Sequence, residues 1–313
     1  MPKMLSDILT ASVIASAIRL ATPYIFAGMG ETFGQRSGVL NLGVDGIMLL
    51  GAFAAYYAVL ETGSLLFGVM AALATGMLMG LVMAFVSVTL QAEQGISGIG
   101  LYLFGLGLSD MLYQRLVGTP VHVDGFPRVD IPVLTDLPVL GEIFFNHNFL
   151  VYVAFASVPL SAFVLTRTTF GLKIRAVGQN PEAADAMGVN VARIRYFTVI
   201  IGGAFSGIAG ASLSIALVNF FQGNLTAGKG FIAVALVYFG AWRPYWVMAG
   251  TLLFSTVDAL QLQIKTLENA LNLDIPNELA VMAPYVVTLV ALIFASKGVE
   301  KPTALTKPFE RGE

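Results

Sequence analysis

The sequence predicts an all-α polytopic membrane helix bundle of about nine transmembrane spans, eight to ten being compatible with it. Three observations carry that prediction. Hydrophobic residues make up 57% of the chain and charged ones 12%, with a mean hydropathy of +0.80, whereas a soluble domain carries about 25% charged residues. Apolar runs long enough to cross a bilayer recur along the whole length. The polar connections between them sort by charge, basic on one side and acidic on the other. The chain therefore reads as one transmembrane domain over 1–313. Its 33 glycines suit helices that approach closely in lipid.

Several classes are excluded at this level. The net charge of −2 says nothing about partners, and no basic patch suggests nucleic acid. There is no cysteine, hence no disulfide or thiol chemistry. His122 and His147 share one loop without metal-type spacing, and no cofactor or metal is expected. The N-terminus has a single Lys3 and no small-residue cleavage site ahead of the first apolar run, so no cleavable signal peptide is expected.

The first apolar run, 8–30, is interrupted by Arg19 and Pro23. It is either one kinked span or an interfacial segment to about Arg19 followed by a short span. A charge at the bilayer centre costs roughly 2.5–3.5 kcal/mol on insertion scales, so Arg19 is expected near an interface or facing protein. A glycine-rich polar stretch from Glu31 to Gly46 follows and leads into an apolar run to Leu60. Asn41 and Asp45 lie four apart and share a face if this part is helical. The stretch is either a cytoplasmic turn with a helix start or a broken helix on a translocation path, where polar groups are tolerated at membrane depth.

The span 65–90 contains Gly76-x-x-x-Gly80, a close-packing motif. A turn at 91–95 leads to the span 96–117, whose Asp110 and Arg115 mark its far interface. The loop 118–148 has four prolines and more acids than bases and is expected to be extracytoplasmic. The span 149–165 returns to a basic island. The span 197–218 is rich in small residues, among them Gly203-x-x-x-Gly207, and is expected at the bundle centre or at a subunit interface. After it come Asn219 and Gln222. Gly223 to Gly230 reads GxxxxGKG, a near match to a phosphate-binding loop, but Gly230 stands where Ser or Thr is needed to reach Mg²⁺. A glycine-rich turn opening a half-span, 231–240, is the reading adopted. A cytoplasmic turn at 241–244, a span at 245–264 bearing Asp258, an acidic external loop at 265–278, a last span at 279–295 and a basic tail at 297–313 complete the chain. The C-terminus is then cytoplasmic and the N-terminus outside.

The basic island, Arg167 to Arg195, carries five Lys/Arg against Glu182 and Asp185, which places it in the cytoplasm. It holds a short helix marked at both ends. Asn180 is an N-cap, Pro181 suits the first helical position, Glu182 lies in the first turn, and Gly188 stops the helix. Asn190 then caps the next helix. Two capped starts ten residues apart argue against a plain loop and for a docking element.

Glu182-Ala183-Ala184-x-x-x-Gly188 resembles the EAA signature of ABC-transporter permease subunits, whose helix sits in a groove of the ATP-hydrolysing subunit. The Leu-Pro that often closes the signature is missing, as in permeases of the ribose, branched-chain amino-acid and nucleoside import type. "RSGVLNLGVDGIMLLGAFAAYY", Arg36 to Tyr57, is very similar to the segment after the first span of nucleoside and simple-sugar ABC permeases, and "AGKGFIAVALVYFGAWRP" also looks like this family. The resemblance runs from about Leu20 to Ala295 and is closest to the shorter nucleoside-type permease. It implies a permease subunit in a bacterial plasma (inner) membrane, with 168–193 as the coupling loop and Asn180, Pro181, Glu182, Ala183, Ala184 and Gly188 as its ATPase-coupling residues. The implied partners are cytoplasmic ABC ATPase subunits, a second permease subunit in a homo- or heterodimer, and an extracytoplasmic substrate-binding protein. The implied cargo is a nucleoside or simple sugar, with a branched-chain amino acid second. The chain has no Walker A motif, so ATP hydrolysis is expected on a partner and the chain itself is expected to be non-catalytic. Asn41, Asp45, Asn219 and Gln222 are taken as polar groups along the path, and Gly76, Gly80, Gly203 and Gly207 as helix-packing positions. An ion-coupled secondary transporter or channel is the competing class. It wants paired intramembrane charges, which Asp45, Asp110 and Asp258 supply poorly, and it leaves the capped helix without a purpose. A membrane enzyme lacks any nucleophile–base pair.

Overall fold

The computed structural model describes residues 2–130, 141–262 and 300–310, with positions 282, 286, 287 and 290. The expected external loop 265–278 and last span 279–295 lie outside the described residues, as does the middle of the 118–148 loop. The described chain is mostly helical. Helix α1 (Pro2–Arg36) is unbroken and takes Pro23 in its interior, which settles the choice left open at the N-terminus in favour of one long helix. Then come α2 (Val44–Thr62), α3 (Leu65–Ala84, running on through a wide π turn at Phe85–Thr89) and α4 (Gln94–Leu116). Strands β1 (Arg128–Asp130) and β2 (Asn146–Asn148) pair antiparallel with Val129 opposite His147. Three-residue strands carry no periodic signal, so the sequence predicts only a loop here.

Helix α5 (Phe149–Arg167) leads into α6 (Thr169–Gln179) and α7 (Pro181–Ala186). Helix α8 (Val191–Ser212) extends through a π turn to Leu217. Helices α9 (Lys229–Phe239) and α10 (Pro244–Leu262) follow.

Six helices among the described residues are long and apolar enough to cross a membrane: Ala11–Arg36, Val44–Thr62, Leu65–Thr89, Gln94–Leu116, Phe149–Arg167 and Val191–Leu217. The described residues thus do not confirm the count of about nine. Helix α9 has 11 residues, about 16 Å of helix against a hydrocarbon core of about 30 Å, and α10 is not among the six.

Helix α8 is the axis of the bundle, and glycine makes it so. A Cβ on Gly202 would press on the Gly30 carbonyl of α1, and one on Gly203 would collide with the Gly76 carbonyl of α3. Gly207 lies against Ala72 of α3 and Gly51 of α2, and Gly210 against the Met48 carbonyl of α2. Gly80 packs on Val199 and Gly203. The two GxxxG motifs thus face each other across the α3–α8 contact. Lipid tails are as apolar as leucine, so helices in a bilayer gain by close van der Waals approach, which absent side chains permit.

The connections collect at two ends. At one end Arg36 meets Trp242, Leu40 meets Gln94, Ala304 meets Gly178 and Phe309 meets Gln91. At the other Tyr56 donates to Val121, Val123 to Asn219 and Phe126 to Ile215. Among the described residues, the basic island, the 241–244 turn and the tail fall at one end, and the described start of the 118–148 loop falls at the other.

Candidate functional site

The basic island forms a compact shelf on the first of these ends. Its caps are made as the residue types dictate. Thr168 Oγ1 accepts from Gly171 N at 3.1 Å, Asn180 Oδ1 from Ala183 N at 2.9 Å, and Asn190 Oδ1 from Arg193 N at 2.8 Å. Gly188 takes φ +81°. Its N–H bonds to Asp185 O and that of Val189 to Ala184 O, so the orphan carbonyls of α7 are closed by a left-handed glycine. Pro181 is buried, and Ala184 packs with Phe33, Leu165, Ile174, Val177 and Ile194. Glu182, Ala183 and Gly188 face outward. Between α6 and α7 lies a groove of about 530 Å³ walled by Leu172, Ala176, Ala183 and Met187. Leu172 is 59% exposed and Met187 84%. Apolar side chains this exposed at the end of the bundle that carries the polar and charged connections mark a contact surface.

Behind the shelf a polar network runs through the bundle. Trp242 Nε1 donates to Gln35 Oε1 at 2.6 Å, Gln35 Nε2 to Glu31 Oε1 at 3.0 Å, and Asn41 N to the same Glu31 oxygen at 3.0 Å. Asn41 Oδ1 accepts from Gly43 N at 2.9 Å, an Asx turn that reverses the chain into α2. One residue into α2, Asp45 Oδ1 accepts from Gly230 N at 2.7 Å and Oδ2 from the Thr226 hydroxyl at 2.9 Å. Gly230 is the second residue of α9, so the carboxylate sits on the N-terminal end of this half-helix, where its charge meets the helix dipole. Gly230 has no room for a side chain: a Cβ there would collide with the Asp45 backbone.

The chain reaches Gly230 from the opposite end of the bundle. Asn219, held at φ +60°, accepts from Val123 N through its carbonyl. The irregular segment 219–228 then descends to Asp45, and α9 completes the crossing to Trp242. Asp45 is thereby brought to this segment, whereas Asn219 and Gln222 stay at its outer start. Gln222 is exposed, and the buried Asn219 Oδ1, beside Gly125, has no hydrogen-bond partner. The near-phosphate loop is this segment. Its Gly228, φ +83°, opens α9, and its amide at Gly230 is taken by Asp45.

Glu31, Gln35, Thr226 and Trp242 were not singled out from the sequence. The signal available for Glu31 was an ionisable residue closing an apolar run, which in a membrane protein deserves a functional hypothesis by itself.

The family model described as "Branched-chain amino acid transport system / permease component" matches residues 13–292. TsgC13 of Haloferax volcanii, provisionally named a glucose ABC transporter permease protein, is 41% identical over 283 residues, covering 89% of this chain and 85% of its own. The guanosine ABC transporter permease protein NupQ of Bacillus subtilis is 34% identical over 311 residues, covering 96% and 97%. Among solved structures, a chain described as an inward-facing metal-chelate type ABC transporter superposes with a TM-score of 0.52 at 14% identity, over 90% of this chain and 85% of that one. The last likeness concerns the fold alone.

Proposed function

The chain belongs to the family of branched-chain amino acid transport system permease components, and from that premise we propose that it forms the membrane pathway of an ABC importer for a nucleoside or simple sugar. ATP is hydrolysed on separate cytoplasmic subunits that dock in the α6–α7 groove. A second permease subunit and an extracytoplasmic binding protein complete the importer. The observation that carries the coupling role is the exposed Leu172–Met187 groove beside a helix fixed by Asn180 and Gly188. Closure of the ATPase pair pushes on α7, whose buried Pro181 and Ala184 pass the motion to the ends of α1, α5 and α8. ATP thus shifts the bundle between two arrangements.

The choice of cargo has a physical argument beside the names of the relatives. Transporters with broken helices aim half-helix N-termini at anionic groups of their substrates. Here Asp45 of the chain itself occupies the N-terminus of α9. An internal carboxylate at that place favours an uncharged cargo over an amino acid. Asn41 and Asp45 shape the inner part of the path, and Asn219 and Gln222 offer amide groups at its outer mouth.

Purification from the native membrane in mild detergent tests the assembly. Recovery of an ATPase, a second permease and a binding protein is expected, and the binding protein's ligand then names the cargo. Recovery of the chain alone, still moving solute into liposomes without ATP, would sink the importer reading. In the intact system Glu182→Lys and Gly188→Val should lower uptake about tenfold or more at unchanged membrane levels. Normal uptake in both would remove the shelf from the mechanism.

A further inference from the structure

Three arginines from three elements are gathered where α1 ends. Arg36 closes α1, and its Nε donates to the Trp242 carbonyl at 3.0 Å, which brings Arg243, the next residue, alongside. On the other side the Arg36 backbone lies against α6 so tightly that a Cβ on Gly178 would collide with its carbonyl. Arg175 stands one turn before Gly178 on the same helix. The charges of Arg175 and Arg243 both act on Arg36, and among the described residues no carboxylate is seen to offset them. The Nε of Arg175 is closed off from solvent without a hydrogen-bond partner. Like charges gathered without a counter-charge repel, and this arrangement becomes favourable when an anion joins it.

The surroundings say which anion. Tyr245 and Trp246, two and three residues after Arg243, are 55% and 61% exposed. Exposed Tyr and Trp at a helix end mark the level of the lipid headgroups. Arg175 is not part of the α6–α7 groove, whose basic member is Lys173, so the cluster stands apart from the surface assigned to the ATPase. Basic clusters beside membrane helix ends draw acidic headgroups, and a planar guanidinium fork matches phosphate oxygens.

We propose that Arg36, Arg175 and Arg243 bind the phosphate of an acidic phospholipid in the cytoplasmic leaflet. The leaflet rests on the sidedness given above; the cluster does not. A lipid held there ties the end of α1, the shelf helix α6 and the α9–α10 turn together through one headgroup.

The test uses the complete transporter in nanodiscs of mixed phosphatidylglycerol and phosphatidylcholine, with retained lipids counted by native mass spectrometry. The unmodified protein should retain phosphatidylglycerol selectively. Arg175→Gln with Arg243→Gln should weaken that preference about fivefold per arginine removed, while Lys173→Gln with Arg193→Gln should leave it unchanged. Arg243→Gln alone, at an exposed position, serves if the double variant does not fold. Equal loss in the control pair would overturn the site in favour of general surface charge. Displacement of phosphatidylglycerol by millimolar inorganic phosphate would overturn the lipid in favour of a free anion. Intact lipid selectivity with loss of the ATPase subunits from the arginine variants would make the cluster a protein interface instead.

Discussion

Asp45 concentrates the residue-scale argument. Its two carboxylate oxygens accept from a backbone amide and a hydroxyl on a segment 181 to 185 residues away, and the side chain is fully buried. Asp45→Ala should therefore strand the Gly230 N–H and Thr226 hydroxyl at a cost of about 1–3 kcal/mol. Thermal unfolding in detergent should show it, and Asp45→Asn should recover part because its amide oxygen still accepts. An unchanged melting temperature in Asp45→Ala would mean that the half-helix does not depend on this cap. His147 in β2 makes a second case. Its ring is buried, Nε2 donates to the Ile143 carbonyl at 2.7 Å, and Nδ1 has no partner. Burial holds the imidazole below the usual histidine range. The Ile143 bond opposes this, and the charges of Arg19 and Arg128 add to it. The folded state thus carries the neutral ring where the unfolded chain would take up a proton. Stability is fully present above the unfolded value of about 6.5 and falls as pH drops below it, levelling off once the folded ring also protonates. Melting temperatures between about pH 8 and 5 should fall more steeply for the parent than for His147→Gln, whose amide does not titrate in that interval.

At the scale of elements, the glycine contacts of α8 predict opposite outcomes for one substitution. Gly203→Ala or Gly76→Ala puts a methyl into a facing backbone carbonyl and should cost about 1–3 kcal/mol of overpacking. Gly100→Ala and Gly107→Ala on α4 meet nothing within 4 Å, so the better helix former should be neutral or stabilising by up to about 1 kcal/mol. Equal melting temperatures across the four variants would dissolve the claim that α3 and α8 are joined through these glycines. Much of this scale was legible beforehand. The caps at Asn180 and Asn190 and the stop at Gly188 were readable because a cap is made by residues two or three apart. Both GxxxG motifs were visible as patterns, but not their mutual contact, since a pattern names a face and not its neighbour. Helix α9 was legible as a half-span between Gly230 and Gly240.

For the whole molecule, the described C-terminal tail acts as a strap across the shelf end. Ala304 N donates to Gly178 O at 3.0 Å and Thr306 N to Gly38 O at 3.1 Å. The Lys307 carbonyl accepts from Arg195 Nη1 at 3.0 Å, and that of Phe309 from Gln91 at 3.2 Å. Arg195 is itself buried and also donates to Ser37 O. The strap thereby joins the turn before α2, the end of α6, the start of α8 and the turn before α4. Removing residues 300–313 takes an acceptor from a buried guanidinium and should cost about 1.5–3 kcal/mol, read as a lower melting temperature. A truncated protein that melts with the parent would show that the four elements hold without the strap.

Composition, charge order and cap spacing determined that this chain is a multi-span membrane protein, which connections group together by charge and where a short capped helix stands, because each is a property of residues close together in sequence. The partners that buried polar groups find far away in the sequence were decided by the tertiary structure. Glu31 meets Gln35 one turn away, yet the chain of bonds continues to Trp242, 207 residues beyond Gln35, and Asp45 finds its donors on the far side of the sequence. Away from water a polar group must be satisfied by whatever helix packs beside it, and which helix that is depends on glycine contacts that become visible only once the bundle is assembled.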